Sequence, residues 1–168
     1  MELVFNTCAH FVALLPGLPG AFIRRSFYTL TLDDCSQHCH IGFGSLFAHR
    51  QVRIADHVYI GSYALFGSVS IEENALIGSR TSVLSGQSLH ELDESGQWSA
   101  YEANRLEQVC IGANTWVGEA AVISANVGAG CMIGAGSVVS TPIRDKVLLA
   151  GNPARFVRHL GGSENNDE

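Results

Sequence analysis

The stretch Val109-Cys110-Ile111-Gly112-Ala113-Asn114-Thr115-Trp116-Val117-Gly118-Glu119-Ala120-Ala121-Val122-Ile123 returns an aliphatic residue to the same place every six residues, at Ile111, Val117 and Ile123. The same beat runs through Ile54, Ile60 and Phe66, through Ile71, Ile77 and Val83, and through Val127, Ile133 and Val139. Residues six apart lie about 240° apart round an α-helix, so no helix gives this pattern. A strand that turns a corner every six residues does, and a period of this kind points to a β-helix. Glycine follows the inward residue at Gly42, Gly61, Gly67, Gly78, Gly112, Gly118, Gly128 and Gly134, where the missing Cβ is expected to permit the bend. Three faces make one triangular coil of about 18 residues, with one aliphatic side chain per face stacked on the coil above.

Composition fits such a solenoid. The 168 residues are 46 % hydrophobic and only 15 % charged, with 18 glycines, enough apolar material for one domain. A net charge of -6 makes a phosphate backbone a poor partner, so no nucleic acid is expected. Five cysteines (Cys8, Cys35, Cys39, Cys110, Cys131) match no zinc or redox spacing and read as reduced thiols, with Cys131 a buried filler and the cytoplasm the compartment. No basic segment precedes the apolar run Phe11 to Leu15, so no signal peptide is expected, and that run is too short to span a bilayer.

Residues 1–34 differ in character from the rest. Apolar positions interrupted by Pro16 and Pro19 suggest one or two short helices that cover the open end of the solenoid or a neighbouring subunit. The alternative is an interfacial anchor in residues 1–30, with Phe22, Phe27 and Tyr28 beside Arg24 and Arg25. The β-helix domain spans 35–160, with roughly two and a half coils from Cys35 to Gly86. The beat lengthens between Phe47 and Ile54 and shortens between Phe66 and Ile71. Residues 87–108 abandon it, and a polar excursion in a regular solenoid marks function. About two more coils follow from Val109 and stop near Pro142. A basic segment, 144–160, contains Arg155 and Arg158, and 161–168 read as a disordered acidic tail.

His90 stands near the head of the excursion, just after a corner of the β-helix. A rigid element holds its base while the loop supplies its surroundings, which suits a general base. Glu91, Asp93, Glu94 or a loop carbonyl could fix its tautomer. With the beat, this His90, the run Ile111 to Gly118, the run Ile133-Gly134-Ala135-Gly136-Ser137-Val138-Val139 and the closing Gly151-Asn152-Pro153-Ala154-Arg155, the chain resembles the hexapeptide-repeat acyltransferases, in the branch of galactoside, maltose and capsular-polysaccharide O-acetyltransferases. The resemblance covers about residues 35–160.

That resemblance implies an all-β, left-handed parallel β-helix, an exception to the right-handed crossover rule, assembled as a homotrimer with active sites between subunits. It implies acetyl-CoA as co-substrate, His90 as the base that deprotonates a sugar or glycan hydroxyl, and the backbone N–H of Glu119 as oxyanion donor. Trp116, Gly118, Ala135, Ser140 and Thr141 would line the pantetheine groove, with Arg155 and Arg158 near the nucleotide phosphates. Members often carry Thr-Lys where this chain has Ser140-Thr141, so that one basic contact is lost and either cofactor affinity is weaker or Arg144 compensates. Trp116 read without the family is a wedge between coils, and His49 and His57 line corners or the subunit cleft. Three other readings stay open: N-acetylation of an amino sugar, a non-catalytic scaffold, and a γ-type carbonic anhydrase, whose zinc needs closely paired histidines where His38, His40, His49, His57 and His90 are differently spaced. No metal is expected.

Overall fold

The computed structural model describes residues 2–86, 90, 92–99 and 106–161. Short parallel strands stack into three sheets, one per face of a triangular prism. The first face carries Asp34–Cys35, Val52–Ile54, Val69–Ile71 and Val109–Ile111. The second carries His40–Ile41, Tyr59–Ile60, Leu76–Ile77, Trp116–Val117, Met132–Ile133, Val147–Ala150 and Arg155–His159. The third carries Leu46–Phe47, Leu65–Phe66, Ser82–Val83, Val122–Ile123 and Val138–Val139. The whole is a left-handed parallel β-helix of about six turns.

Register keeps like on like. Ile60 pairs with Ile77, Ile77 with Val117, Val117 with Ile133, and Ile133 with Leu149 down the second face. Phe66, Val83, Ile123 and Val139 do the same on the third. These side chains are buried and form one continuous core, each contributing roughly 1.5–3 kcal/mol of transfer free energy. The excursion leaves this ladder intact, because Val109 pairs directly with Val69 across it.

Two expectations about the solenoid change. Cys35, Ile41 and Phe47 complete a full first turn, so three turns precede the excursion. The solenoid also continues past Pro142, where Ile143 bridges Val127 and Val147–Ala150 adds a parallel strand. The basic segment then folds back as Arg155–His159, the one antiparallel strand pairing among those described.

The glycines after the inward residues act differently from expectation. A Cβ on Gly112 would stand 2.5 Å from the backbone N of Ala129, and one on Gly118 the same distance from that of Ala135. The glycine admits the backbone of the next coil. The left-handed conformations that turn the chain fall instead on residues such as Asn114 (φ 54°) and Ala120 (φ 56°).

Two helices, α1 (Glu2–Ala13) and α2 (Gly17–Thr31), close the first turn. Phe5, Ala9 and Tyr28 join the solenoid core, and Tyr28 meets Phe47 edge-on at 4.7 Å. Arg24 is buried, its guanidinium donating to the carbonyls of Ile41 and Leu15. Burial lowers the Arg24 pKa and raises that of Tyr28. An anchor built on Arg24 and Tyr28 is therefore corrected: both side chains point into the core and Phe27 is half-buried. Leu3, Val4, Phe11, Leu18 and Phe22 remain exposed on the outer side. No described helix is long and apolar enough to cross a membrane. Cys131 is a buried filler as expected, and all five cysteines are free, with the buried sulfurs of Cys35 and Cys39 3.9 Å apart.

Gly112→Ala should destabilise the fold by about 1–3 kcal/mol, the cost of overpacking against backbone that cannot yield. Ala120→Gly should stabilise it by about 1 kcal/mol by relieving a left-handed alanine. Urea midpoints at constant m-value measure both.

Candidate active site

Every departure from the six-residue beat falls on one edge of the prism, between the third face and the first. The slips from Phe47 to Ile54 and from Phe66 to Ile71 lie there, as do the shortened steps from Ile123 to Val127 and from Val139 to Ile143. The excursion leaves from the same edge at Gly86, whose φ of 88° takes the chain off the ladder. It returns at Glu107, whose backbone N–H donates to the Ser85 carbonyl at 3.2 Å. Leu84, Ser124 and Ser140, each one residue past an inward position, stack along this edge in successive turns.

A cleft of about 720 Å³ opens here, lined by Leu84, Gly86, His90, Trp98, Ser99, Ser124 and Ser140. The Nδ1 of His90 lies 2.9 Å from the backbone carbonyl of Ser99. A carbonyl only accepts, so Nδ1 carries a proton, and in the neutral ring this leaves the lone pair on Nε2, the form a base needs. Of the groups considered for this task, the loop carbonyl performs it. Asp93 is occupied by its own turn, and Glu91 lies outside the described residues.

That turn is tightly specified. One carboxylate oxygen of Asp93 accepts from the backbone N–H groups of Ser95 and Gln97 and from the Ser95 hydroxyl. The Asp93 N–H donates to the Gln97 carbonyl, and Gly96 supplies the left-handed residue. Leu92 and Trp98 bridge as an antiparallel pair. The result is a miniature hairpin that delivers Ser99 to the imidazole. Hydrogen bonds from Ser95, then Gln97, hold the Asp93 carboxyl below the usual carboxylate range.

The other candidate residues sit elsewhere on the prism. Trp116, Gly118 and Glu119 follow one another off the second face, and Ala135 lies directly beneath Gly118. The Glu119 side chain pairs with Arg80 at 3.1 Å, both largely exposed. Its backbone N–H has no acceptor among the described residues. Arg155 and Arg158 are exposed on the strand that ends the second face, with no carboxylate partner among the described residues. Ser140 lies in the His90 cleft, with Thr141 exposed beside it. The candidate residues of a single chain thus form two groups on different edges: His90 and Ser140 on one, and the residues of the second face on the other.

His49 and His57 stay outside the cleft, His57 stacked on His38 at 6.2 Å. Among the described residues no three His, Cys, Asp or Glu side chains converge to hold a metal. Sequence reasoning missed Trp98, and it offered a loop carbonyl for His90 without identifying it as that of Ser99. The signal for both was the turn sequence Asp93-Glu94-Ser95-Gly96 followed by a tryptophan in an otherwise polar loop.

The family described as the hexapeptide repeat of succinyl-transferase matches residues 68–89, 108–141 and 125–152. A galactoside O-acetyltransferase of Escherichia coli K12 is 33 % identical over 97 residues, covering 55 % of this chain and 45 % of the relative. A galactoside O-acetyltransferase of Lactococcus lactis is 26 % identical over 149 residues, 86 % of this chain and 63 % of the relative. The chain thus spans about half to two thirds of the length of these relatives. Among solved structures, a maltose O-acetyltransferase from Clostridium difficile 630 superposes with a TM-score of 0.78 at 16 % identity, covering 96 % of this chain and 89 % of the other. A galactoside acetyltransferase in complex with coenzyme A gives 0.78 at 20 % identity, with 95 % and 81 % covered.

Nitrogen NMR of the neutral imidazole should show His90 in its Nδ1–H form, and Asp93→Ala should relax that preference by loosening the hairpin. Because the folded Asp93 pKa is depressed, its contribution is complete above the ordinary carboxylate range and lost as pH falls through the lowered value. Exchange protection of the Gly96 and Gln97 amides should therefore persist into mild acid. Unchanged His90 signals in the Asp93 variant would show that the hairpin does not hold the imidazole.

Proposed function

We propose that this chain, whose repeats match the hexapeptide-repeat model and which resembles galactoside O-acetyltransferases, is an acyltransferase of that kind and transfers an acetyl group from acetyl-CoA to a hydroxyl of a sugar or glycan precursor. The observation that carries this reading is the His90 imidazole held by the Ser99 carbonyl, with Nε2 open to the cleft. Nε2 takes the acceptor hydroxyl's proton as the oxygen attacks the thioester carbonyl. The oxyanion that forms is met by the backbone N–H of Glu119, a donor that needs no side chain. Collapse expels the CoA thiolate, which recovers the proton from His90. Galactoside O-acetyltransferases among the relatives favour a hydroxyl acceptor over an amine.

The separation of the two groups supports a homotrimer in which His90 of one subunit faces the second-face residues of the next. There Trp116, Gly118, Ala135, Ser140 and Thr141 would follow the pantetheine, and Arg155 and Arg158 the phosphates, as guanidinium groups with no carboxylate partner among the described residues suit. A charged, soluble co-substrate such as acetyl-CoA supports a reaction in the cytoplasm. The exposed Leu3, Phe11, Leu18 and Phe22 would carry any peripheral contact with a bilayer. Phe11→Glu/Leu18→Glu should then abolish sedimentation with anionic vesicles, and equal sedimentation would remove that contact.

His90→Ala should lower turnover by roughly 10²- to 10⁴-fold, read as thiol release with a galactoside acceptor. Mixed refolding of His90→Ala with Arg155→Ala/Arg158→Ala should restore about a quarter of wild-type activity, because random pairing leaves one interface in four with both halves intact. No recovery would place both halves within one subunit.

A further inference from the structure

Trp98 is the one cleft residue to which neither the repeat nor the reaction assigns a task. Its side chain is 70 % exposed, yet its backbone is fixed. The bridge to Leu92, the Asp93 hydrogen bonds and the neighbouring Ser99 carbonyl on His90 hold it in one place. No ring contact or side-chain hydrogen bond engages the indole among the described residues. A large aromatic surface held rigidly in water beside a base is costly to solvate and unnecessary for folding.

The remaining lining defines what would cover it. Leu84 continues the apolar wall, and Ser99, Ser124 and Ser140 add polar groups along one side. Among the described residues no lysine, arginine or carboxylate lines the cleft. The charges among the described residues of the excursion are acidic: Asp93 and Glu94 on the hairpin, and Glu107, whose carboxylate lies against Gly86. A pyranose ring matches this pattern, because one of its faces presents C–H bonds to the electron-rich indole while its rim presents hydroxyls. A sugar carried on a nucleoside diphosphate matches it less well, since among the described residues its phosphates would meet acidic groups and no cation.

We propose that Trp98 is the acceptor platform: its indole stacks on the apolar face of a neutral pyranoside and so sets one ring hydroxyl against Nε2 of His90. This rests on the acyl-transfer reading of the same cleft and adds to it the acceptor's class, an uncharged glycoside. Trp98 selects the acceptor and takes no part in moving the proton.

The test compares Trp98→Ala and Trp98→Phe with the wild-type protein, using methyl β-galactopyranoside, methyl β-glucopyranoside and UDP-galactose as acceptors. Trp98→Ala should raise the KM for the methyl glycosides by roughly tenfold, while the KM for acetyl-CoA stays within about twofold and Trp98→Phe recovers most of the loss. UDP-galactose should be the poorer acceptor in the wild-type protein. A second readout needs no turnover. The chain has two tryptophans, so Trp116→Phe leaves Trp98 as the only indole, and methyl glycosides should shift its emission saturably without acetyl-CoA. If that shift occurs but no acceptor is acetylated, the platform stands and the acyl-transfer reading falls. Glycoside KM unchanged in Trp98→Ala, a parallel rise in both KM values, preference for UDP-galactose, or an unresponsive Trp98 emission would each overturn the proposal.

Discussion

Close approach between successive coils governs this molecule. Each turn lies on the next at strand-pairing distance, so a residue on the inside of a corner meets the backbone of the following turn rather than a side chain. At Gly112 and Gly118 there is no room for even one carbon, and aliphatic residues in register fill what remains. Contacts between strands are therefore made to the neighbouring turns, as in other one-dimensional arrays. An end left open would expose core, and at the first turn the helices answer this with Tyr28 on Phe47 and a buried Arg24 that donates to two carbonyls. Those carbonyl bonds let a cation be buried without a carboxylate beside it.

The same constraint explains where the candidate site sits. Two edges of the prism keep the beat strictly, and the third absorbs every slip. Only there does the chain leave the ladder without breaking it, and there the cleft opens around His90. The hairpin from Leu92 to Trp98 is small enough to be specified by local hydrogen bonds alone. It gives the imidazole a defined tautomer from a loop that owes nothing to the solenoid's periodicity.

Much of this was legible in the residues. The beat revealed faces, inward positions and the excursion, because a period-six aliphatic pattern has few physical solutions. The glycines were found for the wrong reason: sequence spacing locates a corner but does not say which neighbour would strike a missing Cβ. The helices' packing was one of two readings, and amphipathic composition alone does not tell a core-facing Tyr28 from a membrane-facing one. The partner of His90 was narrowed to nearby carboxylates or a carbonyl. Only the folded hairpin shows that Asp93 is spent on Ser95 and Gln97, leaving the Ser99 oxygen for the ring. The distance between the His90 edge and the second-face residues was invisible to a linear reading, which places them a few dozen residues apart and says nothing of edges.

The two ends of the excursion almost touch, with the Glu107 amide on the Ser85 carbonyl, and the ladder already closes beneath them through Val69 and Val109. The whole insert is thus a graft on a finished rod. Lengthening, shortening or exchanging it asks nothing of the turns on either side, so the insert that bears the candidate site can change rapidly in evolution while the part that folds stays still.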